Sequence, residues 1–432
     1  MAPSFDPFDP EYLDDPYPTF DELRRSQPVA HNAELDYWIL SRYVDVRTAF
    51  RDATRFSASN ALTPMQPRSA TAAAILRDGY RSVPTLTNAD PPAHTRVRRL
   101  ANVAFTPRMV SELEPFVRDL AVRMIEEGLH GPDVDVVHAL TWELPALVIF
   151  KILGVSEEDV PQVKAWGANR LMFLFGRTDD ATQAEVAEGM VAFWRYTEDL
   201  VRERAAHPRA DFTSELVLAE GADGQRLTHT EVATILFGLL LAGHESTTHL
   251  LSNAIRRLLE DRASAWRLVC GDASLIPNAV EETLRFDPPV VVWRRKTRVP
   301  VVLHNVHIPA ESNLLLLIGS ANRDESVFTA AETFDVCRPN ARDHLSFGMG
   351  NHLCLGAPLA RLEARVVLEE LTRRCPDLDL VPDQRLEFPR QIAFRGPNEL
   401  HVSGSTLAPS AEGRCPVHAS RLDGAINVAG PA

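Results

Sequence analysis

Residues 228–262 constrain the fold more than any other part of the chain. The stretch runs without proline through Ile235 to Leu241 and on through Leu250, Leu251, Ile255, Leu258 and Leu259. Thr228 and Glu231 form a capping-box pattern at its start. At 1.5 Å per residue, a helix of about 35 residues spans roughly 50 Å, the width of a whole domain. Being apolar on most sides at its middle, such a helix has to run through the interior. The polar run Gly243-His244-Glu245-Ser246-Thr247-Thr248 at its centre therefore needs a chemical reason.

Further helical periodicity marks 107–128, 181–206, 275–285 and 358–374. Strand signals cluster at 37–40 and in 299–318, which reads as a meander turning at Asn305. The expected fold class is mainly α with a small β region. No Gly/Ser linker and no internal repeat divides the chain before about Val402, so residues 1–402 read as one domain. Residues 403–432 turn small and polar, as a poorly ordered tail would.

The 432 residues carry a formal charge of -14 and five cysteines: Cys270, Cys337, Cys354, Cys375 and Cys415. The acidic balance argues against nucleic acid as a partner, since phosphate binding rests on clustered Lys and Arg. Cysteines this few and scattered do not form a disulfide framework, which points to a reducing compartment. The amino terminus lacks the basic start and apolar stretch of a signal peptide, and no apolar run nears the roughly 20 residues that span a bilayer. A cytoplasmic monomer with no membrane anchor is expected, with a thiol free to act as thiolate.

The strongest motif is HLSFGMGNHLCLG, residues 344–356. A thiolate offered to a metal needs a tightly folded backbone, donors that stabilise its charge, and a helix amino terminus nearby. Gly348, Gly350 and Gly356 permit the turns, and Pro358 suits the first turn of the following helix. A lone Cys in apolar surroundings is ordinarily an inert core residue; the pattern around Cys354 is what lifts it above that reading.

Phe347, Gly350, Cys354 and Gly356 fill the haem-loop pattern of the cytochrome P-450 family without a gap, and the chain resembles that family over roughly residues 6–402. The resemblance implies a haem b held by Cys354 as metal ligand, with the thiolate favouring O–O cleavage, and haem contacts from Phe347, Gly348 and Gly356. It places His352, His94, Arg98 and Arg295 on the haem propionates, with Arg294 and Lys296 as neighbours that blur the last choice. Glu282-Thr283-Leu284-Arg285 matches the family's ExxR signature, and Arg338 is its third, structural partner.

The centre of the long helix fits the family's oxygen-binding segment. Ala242 and Gly243 would border the haem there, while Glu245 and Ser246 would deliver protons, Ser246 standing where threonine is usual and Thr247 able to share the role. A zinc motif is excluded, because His249 follows His244 by five residues and lies about 140° round the helix. The resemblance also suggests an apolar pocket of Thr85, Leu86, Phe173, Phe175, Leu239, Ala242, Val290, Val291, Ile392 and Phe394, with Trp293 at its margin.

These residues imply a haem-thiolate monooxygenase acting on a small, mostly apolar substrate with O2. Electrons would come from a separate ferredoxin and its reductase, docked on a basic face carrying Arg96, Arg99, Arg108, Arg342, Arg361 and Arg365. The alternative is a haem-thiolate peroxygenase driven by H2O2, which would typically lack the Glu245–Ser246 pair.

Overall fold

A computed structural model describes residues 5–167 and 169–404. The tail reading for 405–432 lies outside the described residues, and the last strand, His401–Gly404, runs past the boundary drawn at Val402. The architecture is mainly helical. The helices that build the site are α1 (Ala93–Ala104), α2 (Glu143–Leu153), α3 (Arg170–Phe175), α4 (Asp180–Ala206), α5 (His229–Ala242), α6 (Glu245–Glu260), α7 (Ile276–Phe286) and α8 (Ala357–Arg374). Among the described residues, no helix is long and apolar enough to cross a membrane.

One five-stranded sheet carries most of the β structure. Its strands are β1 (Val29–Asn32), β2 (Tyr37–Leu40), β3 (Phe56–Ser57), β4 (Val292–Thr297) and β5 (Asn313–Leu317), in the order β1-β2-β5-β4-β3. Strand β2 is the one expected over 37–40. The stretch 299–318 splits into a hairpin, Val301–Leu303 with Val306–Ile308, followed by β5. The hairpin turns at His304 and Asn305, both with positive φ, as a two-residue primed turn requires.

Two expected helices are interrupted, each for a local reason. The stretch 107–128 forms two helices, Pro107–Glu112 and Glu114–Gly128, because Pro115 has no N–H to donate back to the Ser111 carbonyl. The long central helix stops at Ala242 and restarts at Glu245. Glycine lowers the cost of a break, and Gly243 is also pressed by α2, since a Cβ there would sit 3.0 Å from the Ile149 side chain. His244 turns aside and its Nε2–H donates to the Trp142 carbonyl at 2.9 Å. The expected capping box does form, with the Thr228 amide on Glu231 Oε2 (2.8 Å) and the Glu231 amide on Thr228 Oγ1 (3.2 Å).

The side of the molecule that carries Cys354 is held by a buried ion triad. Glu282 accepts from Arg285 Nε and Nη2 at 2.7 Å each, and Arg338 Nε lies 3.1 Å from both of its oxygens. The remaining guanidinium N–H groups donate to the carbonyls of Asn322, Ala331 and Thr333 from Arg285, and of Thr329, Ala330 and Thr333 from Arg338. One pair of arginines thus fixes both α7 and the long connection from 322 to 338. Asn322 passes the constraint on, accepting from the Leu345 amide (2.7 Å) and donating to Ser346 Oγ (2.8 Å) inside the cysteine loop.

Removing one partner from such a triad leaves an uncompensated buried charge, which costs about 3–5 kcal/mol. Arg338→Met should lower unfolding free energy by that order in denaturant titration and cost the protein its haem. A loss below about 1 kcal/mol, the range of surface pairs, would show that the triad does not carry the fold.

Candidate active site

The cysteine loop is shaped from both ends. Gly348 and Gly350 have φ of 66° and 70°, and a Cβ at Gly350 would come within 3.1 Å of backbone atoms of Phe50 and Arg51, so only glycine fits. The Cys354 amide donates to the Phe347 carbonyl at 2.9 Å, closing the loop. Arg361 on α8 lies 4.5 Å from the centre of the Phe347 ring. It also donates to Glu281 at 2.7 and 3.0 Å, and Glu281 accepts from His344 Nε2 at 3.0 Å. Glu281 escaped the sequence reading; its only signal was the doublet it forms with Glu282.

Cys354 keeps an open surface, yet burial is the largest influence on its thiol and pushes it up. Both observations hold for a sulfur at the bottom of a protein-walled cleft, where a bulky ligand has room but bulk water is distant. Opposing the burial are the amides of Gly356 and Ala357, at the start of α8, and the guanidinium groups of Arg98 and Arg361. These are the donors and positive charges that stabilise a thiolate.

The residues expected to hold acidic groups come together beside it. The rings of His94 and His352 lie 4.0 Å apart. His352 Nδ1–H donates to the Leu86 carbonyl (3.1 Å), while His352 Nε2 and both nitrogens of His94 are buried without a protein partner. Burial holds both imidazoles below the ordinary histidine value, His352 at about 4. Arg98 donates to the Leu353 carbonyl at 2.7 Å, next to the cysteine. Arg295 is 2% exposed and donates to the Arg294 carbonyl at 2.9 Å; burial draws it down to about 10, with Asp90 as the opposing charge.

Strand alternation sets the neighbouring arginines apart. Arg294 projects from the opposite face of β4, donates to the carbonyls of Ala61 and Thr63, and lies 4.4 Å from the centre of the Phe175 ring. His94 and Arg295, buried, stand with the half-buried His352 and Arg98 as a cluster whose donors exceed its acceptors, which is costly unless an anion meets it. Two carboxylates beside a thiolate-bearing cleft satisfy that need, so the residues fit a haem with its propionates.

Across the helix break, Ala242 is exposed, Gly238 has nothing within 4 Å of where a Cβ would stand, and Leu239 is half-buried. These positions and Ser246 share one side of the broken helix, giving it an open face in the interior. Ser246 Oγ donates to the Ala242 carbonyl (2.7 Å), one of the carbonyls that a helix end leaves over. Glu245 is raised to about 7, burial dominating and Arg170 acting in the other direction. Thr247 is buried and its amide donates to the His244 carbonyl at 3.1 Å.

The expected pocket residues divide. Leu86, Leu239 and Val290 keep open surface, whereas Phe173, Phe175, Val291 and Ile392 are covered to 4% exposure or less. Val290 bridges Phe394, whose ring centre lies 5.6 Å from that of Phe175, and Phe175 is 5.9 Å from Trp293. Thr85 is buried. A cavity of about 350 Å³ opens elsewhere, behind the helix break, against Trp142, His244, Glu245, Thr248 and His249. Sequence periodicity had no means of finding it, since residues 163–172 and the 389–398 segment supply much of its wall.

The expected basic docking face is corrected. Each of its arginines has a carboxylate partner: Arg96 with Glu231, Arg99 with Asp223 (2.7 Å), Arg108 with Glu112 (2.7 Å), Arg342 and Arg361 with Glu281 (3.7 and 2.7 Å), and Arg365 with Glu114 (2.6 Å). Arg342 and Arg361 share one carboxylate, so most but not all of the charge is neutralised locally, which weakens the steering a bare patch would give.

A cysteine faced by the Gly356 and Ala357 amides and by two guanidinium groups, a largely buried donor set that fits propionates, and an acid next to an alcohol on a broken interior helix fit a haem-thiolate oxygenase. The family model "Cytochrome P450" matches residues 272–390. Cytochrome P450 monooxygenase PikC of Streptomyces venezuelae is 36% identical, over 91% of this chain and 92% of that protein. Cytochrome P450 130 of Mycobacterium tuberculosis is 36% identical over 84% of this chain and 89% of that one. The solved structure of cytochrome P450 CREJ in complex with (4-ethylphenyl) dihydrogen phosphate superposes with a TM-score of 0.88 at 38% identity, covering 93% of this chain and 99% of that one. The chain belongs to the cytochrome P450 family, and it is a haem-iron monooxygenase.

Arg295→Gln should weaken haem retention about tenfold or more, the scale of a charge-assisted hydrogen bond of ~1.5–3 kcal/mol. Haem transfer to an acceptor globin measures it. Retention within about twofold of wild type would remove Arg295 from the propionate set.

Proposed function

We propose that the chain hydroxylates a small, mostly apolar organic substrate with O2, holding haem b through Cys354. In this reading it works as a cytoplasmic monomer supplied with electrons by a separate ferredoxin and reductase. The supporting observation is Glu245, a half-buried carboxyl raised to about 7 by burial, next in sequence to the Ser246 hydroxyl at the helix break. An acid with that affinity for protons is divided between its two forms at neutral pH, which suits a group that must give up protons and regain them.

Bound haem supplies the activation of O2 and the transfer of one oxygen atom. Two protons and two electrons per turnover convert the other atom to water, and the chain's part is to move the protons. Glu245 holds a proton at its carboxyl and passes it towards the Ser246 hydroxyl, which can donate and accept in turn. Its present bond to the Ala242 carbonyl leaves the oxygen free to accept. Thr247, buried one position on, is the second candidate. Ala242 and Leu239, with Leu86 and Val290, offer the open apolar surface that orients the substrate and excludes water.

The reading takes a ferredoxin as the one-electron donor. Because the arginines of the docking face are paired, recognition would rest on shape and on exchange of ion-pair partners more than on long-range attraction. The substrate reading is supported by the apolar lining; CREJ, a relative by structure, has been solved with an arylphosphate ligand, an aromatic group compatible with such a lining.

The pH dependence follows from Glu245. Its carboxyl is protonated below about 7 and loses the proton as pH rises through that value, so product formed per NADH should fall across this range. Glu245→Gln should give a low, pH-independent yield with more peroxide released, while substrate still binds. A wild-type yield that is flat from pH 6 to 8, matched by the variant, would reject Glu245 as the proton donor (about one unit either side of its midpoint).

A further inference from the structure

Glu281 stands next to Glu282 on α7, yet it takes no part in the buried triad and gives its carboxylate to the cysteine side. It is 2% exposed and accepts from Arg361 Nε (2.7 Å), Arg361 Nη2 (3.0 Å) and His344 Nε2 (3.0 Å). Arg342 reaches it only at 3.7 Å, from a side chain that is 74% exposed. Both nitrogens of His344 are committed, because Nδ1 accepts from the Ser346 amide at 3.1 Å. That ring is therefore neutral, and burial holds it so. Burial works against the charge on Glu281, but the His344 and Arg361 donors keep it down at about 2, so it is a carboxylate at every working pH.

Arg361 joins this carboxylate to the sulfur. Its guanidinium lies 4.5 Å from the centre of the Phe347 ring, and the Phe347 carbonyl accepts from the Cys354 amide. Its charge is felt at Cys354. Two N–H groups bound to one carboxylate fix where that cation stands and offset its charge. We infer that Glu281 is a positioning residue that sets the reduction potential of the haem iron through Arg361, by holding the cation against the cysteine loop and offsetting its charge there. The inference rests on the reading of Cys354 as the haem thiolate.

Reduction adds one electron from the redox donor to the iron, with no bond made or broken in this cluster. A fixed charge nearby biases that step directly: a carboxylate opposes it and a guanidinium favours it. A unit charge about 10 Å from a redox centre, at an effective dielectric of about 20, shifts a one-electron equilibrium roughly tenfold, which is about 59 mV. Glu281 is covered and so is screened little by water, whereas the Arg361 side chain is 38% exposed and is screened more. Arg285 also acts on His344, but it is bound to Glu282 within the triad. Removing Glu281 or Arg361 breaks the same ion pair and takes away charges of opposite sign. A pair that only stiffened the loop would move the potential the same way whichever partner was lost.

The test is the equilibrium reduction potential of the haem-loaded, substrate-free protein, titrated with small-molecule mediators so that docking of a protein donor plays no part. Glu281→Gln should raise it by about 59 mV, a tenfold shift of the one-electron equilibrium. Arg361→Gln should lower it, by about threefold in that equilibrium because of the screening. Glu281→Asp, which keeps the charge, should stay within about twofold of wild type. All three variants should keep the red-shifted carbon monoxide band of thiolate ligation. Shifts of the same sign in Glu281→Gln and Arg361→Gln, or no shift in either, would overturn the inference. Should Glu281→Gln fail to retain haem, Arg361→Gln decides alone, and a potential at or above wild type overturns it. Absence of the red-shifted band from the wild-type protein would instead sink the thiolate reading.

Discussion

A haem-thiolate site asks that a cysteine sulfur be held charged inside a protein, and the surroundings of Cys354 fit that demand. Burial alone drives the Cys354 thiol towards its neutral form, and a thiolate is worth desolvating only where dipoles and cations are fixed around it. The loop fixes them at short range, with the Gly356 and Ala357 amides turned to the sulfur. That loop would be soft if it depended on its glycines. It is instead tied through Asn322 to the buried Glu282–Arg285–Arg338 triad and through Arg361 and His344 to Glu281. Two adjacent glutamates on one helix thus do separate work: one fixes the connection that runs towards the cysteine, the other fixes the loop itself.

The distal side follows a different logic, in which a helix is made imperfect. An unbroken helix would satisfy its own carbonyls and present closed faces. The break at Gly243 and His244 frees the Ala242 carbonyl for Ser246 and sends His244 to Trp142. Glu245 then starts a new helix, set against a mainly apolar cavity of about 350 Å³. One side of the segment is left apolar and open, where an organic substrate can lie.

Much of this was legible in the sequence because the signals were local. The haem-loop pattern, the capping box at Thr228, the strand at 37–40 and the ExxR pair each depend on residues within a few positions of one another, and each stands where it was expected. What the sequence hid was set by distant parts of the chain. The break at Gly243 is written in one glycine, but its position depends on Ile149 and Trp142 pressing from α2 and the turn before it. The pairing of the surface arginines depended on which acids folding would bring beside them: Asp223 beside Arg99, Glu281 beside Arg361. The choice of Arg295 over Arg294 needed the register of β4, and the cavity needed three segments far apart in sequence.

The central proposal, that the Cys354 thiolate would hold the haem iron, is tested most directly by the spectrum of the reduced carbon monoxide complex. Wild-type protein should give the red-shifted band specific to thiolate ligation, because sulfur donates electron density to the iron. Cys354→His should keep haem, held by Arg98, Arg295 and their histidine neighbours, and lose that band together with product formation. Persistence of the red-shifted band in Cys354→His would contradict the assignment and require another sulfur in this chain to be the ligand.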